Sequence, residues 1–156
     1  MTIKHPEVAV EKETIRGKRR ARRLIVQALY QWQMTGHEIY EIEAQFRVSN
    51  NMEKVDTDYF CRLLHGIPQN IQEIESNFKE YLDRPIEDLN PIELAVLRIG
   101  TFELLHCLEI PYKVVLDESV SLTKEYGSQD GYKYVNGVLN KLAQKARATE
   151  IKAEHE

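Results

Sequence analysis

Asn90-Pro91-Ile92-Glu93-Leu94-Ala95-Val96-Leu97-Arg98-Ile99-Gly100-Thr101-Phe102-Glu103-Leu104-Leu105 is the stretch that decides the fold. Asn90 can cap a helix, Pro91 is preorganised for its first turn, and Glu93 can reach back as the capping-box acid. From Pro91 to about Leu108 the pattern is helical, and it is apolar on most sides. A helix apolar nearly all round belongs in the middle of a bundle rather than on a surface. Pro111 then opens a further helix running to about Tyr126 and closed by Gly127. A last helix, from about Asp130 to Arg147, would bury Val135, Val138, Leu139, Leu142 and Ala146. Gly137 inside that helix costs about 1 kcal/mol relative to alanine. Close packing against another helix backbone is the expected reason for it.

Working towards the N-terminus, Phe60, Leu63 or Leu64, Ile67, Ile71, Ile74, Phe78 and Tyr81 recur in steps of three and four. They predict a helix from Asp56, its N-cap, to Leu82. Pro68 lies inside it and should kink or split it, because proline lacks the amide donor and clashes with the preceding turn. Ile39, Ile42 and Phe46 suggest a short helix, with Asn50 and Asn51 marking a turn. Ala21, Leu24, Ile25, Ala28, Leu29 and Trp32 form one face of a first helix that Gly36 stops. No segment alternates convincingly with period two, although Lys113–Leu116 has local strand propensity. The fold expected is all-α, a compact bundle of about seven helices in two packed lobes, about 16–82 and 87–148. Residues 1–15 read as a disordered polar extension and 149–156 as a flexible tail.

With 156 residues and 42% apolar composition, one domain can bury a real core. No apolar run approaches the length of a bilayer span, so no membrane partner is expected. The opening carries Lys4, Glu7, Glu11, Lys12 and Glu13 and has no secretory apolar core. Two cysteines, Cys61 and Cys107, fit buried thiols in a reducing compartment. A cytoplasmic protein is the expectation.

Charge carries the strongest functional signal. Between Thr14 and His37 there is no acidic residue, and six of the eight positions from Arg16 to Arg23 are cationic. The whole chain carries −4, so the remainder without these six cations carries −10. Arg16, Arg20, Arg23, Gln27 and Tyr30 follow spacings of 4, 3, 4 and 3, opposite the apolar face. A one-signed cationic face held at helical pitch suits phosphates, and Tyr30 could stack on an unpaired base. A solvated face or a patch for an acidic protein is the plainer alternative, but ordinary solvated faces mix both signs. Tyr132, Lys133 and Tyr134 combine two aromatic planes with a cation, which also suits single-stranded nucleic acid; one of the tyrosines is expected in the core.

Other groupings carry less. Cys61 and His65, with His106 and Cys107, could be written as a zinc site, but the spacings differ from those of known closed sites. Asp117 and Glu118 are adjacent on a helix and diverge by about 100°. No phosphate loop, nucleophile elbow or metalloprotease motif occurs, and neither catalysis, a metal nor a cofactor is expected.

Four segments in order now resemble a known family. They are Arg19-Arg20-Ala21-Arg22-Arg23 with Val26-Gln27-Ala28-Leu29-Tyr30-Gln31-Trp32-Gln33; Leu89–Glu93 with Leu97–Gly100; Ile110–Val115; and Tyr134–Lys141. Together, from about Gly17 to Ala146, they resemble the NusB family of transcription antitermination factors. The resemblance implies an all-helical fold of two small bundles and recognition of boxA-type single-stranded RNA. It implies a partner, the small-subunit ribosomal protein NusE, and action with RNA polymerase in antitermination of ribosomal RNA transcription. By motif position, RNA contact falls on Arg16, Lys18, Arg19, Arg20, Arg22, Arg23, Gln27 and Tyr30, and on Asp130, Lys133 and Tyr134. The NusE-facing region falls on Glu87, Glu93 and Arg98. Tyr134 replaces the phenylalanine usual in the family, and Asp117 stands where asparagine is common.

Alternatives meet specific objections. A ribosomal RNA methyltransferase would need a further cofactor domain that 156 residues do not accommodate. A helix-turn-helix regulator would centre its basic surface on a second helix, which here is acidic. A NusB-like interaction module without sequence-specific RNA binding is separated only by salt-sensitive RNA binding.

Overall fold

The computed structural model describes residues 6–156, with side chains from Glu13 onward. Its described residues form eight α-helices and no strand: α1 (Pro6–Thr35), α2 (Ile39–Ser49), α3 (Thr57–Gln69), α4 (Ile71–Phe78), α5 (Pro91–His106), α6 (Tyr112–Tyr126), α7 (Gly131–Ala146) and α8 (Ala148–Glu154). Two single 3-10 turns, Lys79–Tyr81 and Ile86–Asp88, lie between α4 and α5. The all-α expectation holds, and the stretch with local strand propensity lies within α6. The chain divides into two units, residues 1–65 and 66–156. The division falls inside α3, earlier than the boundary near residues 83–86 read from the sequence.

In the first unit, α1 buries Ala21, Leu24, Ile25, Val26, Ala28 and Leu29, and α2 buries Ile42 and Phe46. Trp32, expected in the core, is half-buried. Gly36 closes α1 with φ +69°, the left-handed conformation that glycine adopts without penalty. Its amide donates to the Trp32 carbonyl at 3.0 Å. Asp56 caps α3 as expected, its Oδ1 accepting from the Tyr59 amide at 3.0 Å. Of the stretch read as an extension, residues 6–15 belong to α1, and residues 1–5 lie outside the described residues.

In the second unit, Pro68 splits the long helix rather than merely kinking it. α3 ends at Gln69, and α4 restarts at Ile71. Asn70 bridges the break, its backbone amide and its Nδ2 both donating to the Gly66 carbonyl, at 3.1 and 2.8 Å. α5 is enclosed from Glu93 to Leu104 and packs against α4, α6 and α7. Asn90 caps it through the Ile92 and Glu93 amides at 2.9 and 3.4 Å. The tail read as flexible is helical to Glu154. Glu150 anchors it by accepting from the Tyr112 amide at 3.2 Å and from Arg147 at 3.1 Å. Gly137 contradicts the close-packing expectation: it is exposed, and a Cβ built there meets nothing within 4 Å.

Candidate nucleic-acid interface

The basic start of α1 separates into two sets of cations. Arg16, Arg19 and Arg23 are exposed, followed by exposed Gln27 and by Tyr30, 40% exposed. Gln27 Nε2 donates back to the Arg23 carbonyl at 3.2 Å, which lays the amide along the helix surface. Arg20 is half-buried, and its Nη1 reaches the Lys54 carbonyl at 3.5 Å. Lys18 pairs with Asp56 at 3.3 Å and stands 5.2 Å from the centre of the Tyr59 ring. Arg22 is only 3% exposed and lies over the same ring at 5.5 Å. The reason is periodic: Lys18, Arg22, Ile25 and Leu29 share one inward stripe. Arg22, read from the sequence among the RNA-contacting arginines, is a cation packed on an aromatic at the edge of the core.

Close approach of α1 to the loop before α3 depends on Gly17. A Cβ there would lie 3.3 Å from the Asp56 backbone nitrogen, whose N–H donates to the Gly17 carbonyl at 3.1 Å. Beside this contact is a groove lined by Arg16, Arg20, Lys54, Glu53 and Asp56. Its mixed charge contrasts with the one-signed outer face.

In the second unit, the start of α7 presents a separate surface. Asp130 and Lys133 are exposed, their charged atoms 3.9 Å apart. Tyr132 is half-buried, with Lys124 and Lys133 nitrogens 4.6 and 5.9 Å from its ring centre. It helps line a groove with Asp117, Ser121 and Asn136. Tyr134 is also half-buried, so neither tyrosine is fully core. The Tyr134 hydroxyl accepts from the Asp83 amide at 3.2 Å, and the Arg84 guanidinium lies 4.9 Å from its ring centre. Burial pushes this phenol above its ordinary pKa. Asp83 and Arg84 escaped the sequence reading because they lie in an irregular segment with no motif. Their only signal was a paired acid and base 50 residues upstream of the aromatic cluster.

The residues assigned to partner contact also divide. Glu87 is exposed on the second 3-10 turn. Glu93 is 6% exposed, and its Oε1 accepts from Ser128 Oγ at 2.6 Å. It sits against Gly131, where a Cβ would collide with that oxygen. The carboxylate thus occupies the positive N-terminal end of α7 rather than reaching back along its own helix. Arg98 is 5% exposed and pairs with Glu75 at 2.7 Å. Because α5 is enclosed on nearly every side, polar residues on it serve the interior. Of the residues read from the sequence as partner-facing, Glu93 and Arg98 are thus buried in this chain, and Glu87 is at the surface.

His65 contacts Glu43 at 2.6 Å, Cys61 accepts from Arg47 at 3.0 Å, His106 contacts Glu73 at 2.5 Å, and Cys107 is buried. Among the described residues, no helix is long and apolar enough to cross a membrane.

The sequence profile of the NusB family matches residues 19–144. The chain is 65% identical over 147 residues to the transcription antitermination protein NusB of Legionella pneumophila strain Corby, covering 94% of this chain and all of that protein. It is 53% identical over 150 residues to the protein of the same name from Pseudomonas savastanoi pv. phaseolicola, covering 96% of this chain and 90% of the relative. Among solved structures, T. maritima NusB superposes with a TM-score of 0.73 at 28% identity, covering 81% of this chain and 90% of that one. A crystal structure of antitermination factors NusB and NusE in complex with double-stranded RNA also gives 0.73, at 26% identity, over 83% of this chain and 98% of that one. With a profile match across most of its length and relatives of such identity, the chain belongs to the NusB family.

Proposed function

We propose that this protein is an RNA-binding transcription antitermination factor that recognises boxA-type single-stranded RNA together with NusE, in ribosomal RNA transcription by RNA polymerase. One observation carries the reading. The outward stripe of α1 presents Arg16, Arg19, Arg23, Gln27 and Tyr30 to solvent, opposite the face that buries Ala21, Ile25, Ala28 and Leu29. Cations at helical pitch neutralise successive phosphates, and an exposed aromatic at the end of the stripe suits an unpaired base. Asp130, Lys133 and Tyr134 form a second contact surface in this reading. The solved complex of NusB and NusE with double-stranded RNA supports RNA contact and a NusE partner by family likeness.

The protein acts by binding and catalyses nothing. Exposed Glu87 is the candidate contact for NusE, and the acidic remainder of the chain favours encounter with a basic ribosomal protein. Coupling must be reciprocal: NusE tightens RNA binding by the factor by which RNA tightens NusE binding. The test is titration of a boxA-like single strand and a scrambled one, with and without NusE, across salt. Preferential, NusE-enhanced and salt-sensitive binding to the boxA-like strand is expected. Equal binding to both strands, unaffected by NusE, would leave an interaction module without sequence-specific RNA recognition.

A further inference from the structure

We propose that Arg84 is a further RNA-contacting residue, a phosphate fork stacked on Tyr134 whose donor edge Asp83 occupies in the free protein. The inference rests on the RNA-binding reading above. Arg84 Nε donates to Asp83 Oδ1 at 2.7 Å, and Nη2 donates to Oδ2 at 3.2 Å. That is the bidentate pattern in which guanidinium grips either a carboxylate or a phosphate. The same guanidinium lies 4.9 Å from the centre of the Tyr134 ring.

The Tyr134 hydroxyl holds this arrangement by accepting from the Asp83 amide at 3.2 Å. The hydroxyl that distinguishes Tyr134 from phenylalanine thus pins the segment carrying the fork. Both ion-pair partners are solvent-accessible, Arg84 at 46% and Asp83 at 62% of the side chain. Neither is therefore a structural pair shielded in the core, where exchange of partner would be costly. An exposed acid–base pair contributes little to stability and gives way readily to a better-matched anion.

One turn along α7 from Tyr134, Gly137 is exposed with nothing within 4 Å of a built Cβ, and Lys141 follows one turn further. The stripe from Arg84 through Tyr134 to Lys141 offers a phosphate fork, an aromatic plane, an open floor and a second cation. Single-stranded RNA supplies the matching groups in that order: a phosphate, a base plane and the next phosphate. When a strand arrives, its phosphate takes the two N–H groups that Asp83 held, and Asp83 turns to solvent.

The test uses the full chain and a labelled boxA-like single-stranded RNA, with affinity measured across salt for a double-mutant cycle. Arg84→Ala should weaken binding about tenfold and lower the salt slope by about one. Asp83→Asn should tighten binding roughly two- to fivefold, since a competing anion is removed. In the Arg84→Ala background, Asp83→Asn should gain nothing. Arg84→Lys should restore the salt slope but not the affinity, because ammonium has no planar fork. If Asp83→Asn tightens binding equally with and without Arg84, the effect is general charge and the proposal fails. Full affinity in Arg84→Lys also overturns it. Unaltered chain that binds RNA while all four variants match it overturns this proposal alone. Unaltered chain that binds no RNA overturns the RNA-binding reading and this proposal with it. Both positions are exposed, so unchanged helical dichroism and thermal midpoint are expected throughout.

Discussion

His65 Nε2 lies 2.6 Å from Glu43 Oε1, which ties α3 to α2 through a pair of titratable side chains. The same carboxylate accepts the approach of Arg47 at 3.4 Å. Its pKa is held below the ordinary glutamate value, first by the His65 hydrogen bond and then by the nearby positive charges, against the upward push of partial burial. A carboxylate with a depressed folded pKa contributes stability above its unfolded pKa and loses it as pH falls through the folded value. Stability of the first unit should therefore fall as the pH drops from the ordinary glutamate range, about 4, to below it. Unfolding midpoints of the unaltered chain and Glu43→Gln, measured from neutral to acidic pH, check this. The two curves should converge at low pH. Parallel curves would show that Glu43 does not carry the dependence.

Arg147 is 4% exposed and donates to the carbonyls of Glu103, Leu104, Cys107 and Ile110 at 2.8–3.1 Å. It thus satisfies the end of α5, where helix carbonyls lose their intrahelical donors. Arg147→Ala would take the side-chain donor from the Leu104 and Ile110 carbonyls, each worth about 1–3 kcal/mol, while the Glu103 and Cys107 carbonyls keep the Cys107 and Ile110 amides. The expected loss is about 3 kcal/mol or more, measured as a reduced denaturant midpoint. A loss within about 0.5 kcal/mol, the range of ordinary surface substitutions, would contradict the capping role.

Gly137 stands in a regular helix, exposed, with room for a methyl group. Alanine there should gain about 1 kcal/mol of helix propensity. For a domain of this size the thermal midpoint should rise by about 2–4 °C. A lower midpoint for Gly137→Ala would mean that the helix at this position needs glycine after all.

Helix existence was legible where apolar spacing was strong, as in α1 and α5, and so was helix start chemistry at Asp56 and Asn90. Pro68 announced a break, although not which form it would take. What escaped was the use of polar residues. Glu93 reads equally well as a capping acid, a partner contact or an anion at the start of another helix, because its role depends on Ser128 and Gly131, which lie 35 and 38 residues away. Gly137 suggests close packing because sequence supplies the cost of a helical glycine but not the space around it. α8 gives no signal because a polar heptapeptide has little periodicity of its own; Glu150, with Tyr112 and Arg147, holds it.

The division of the α1 arginines yields the sharpest prediction. Arg22 and Arg23 are sequence neighbours with the same charge, yet Arg22 lies over the Tyr59 ring at 3% exposure while Arg23 faces solvent. A helix rotates by about 100° per residue, which is enough to take one guanidinium inward and leave the other out. Arg22→Ala removes packing and a partly desolvated cation–π interaction, so it should destabilise the fold by about 1–2 kcal/mol. Under conditions where the chain stays folded, its RNA salt slope should stay unchanged. Arg23→Ala should do the reverse: stability within about 0.5 kcal/mol, and a salt slope lower by about one for each phosphate that is no longer neutralised. Thermal unfolding and RNA titration across salt, run on both variants, separate the two roles. An equal drop in slope for both would show that charge density on α1, rather than the outward stripe, sets the footprint.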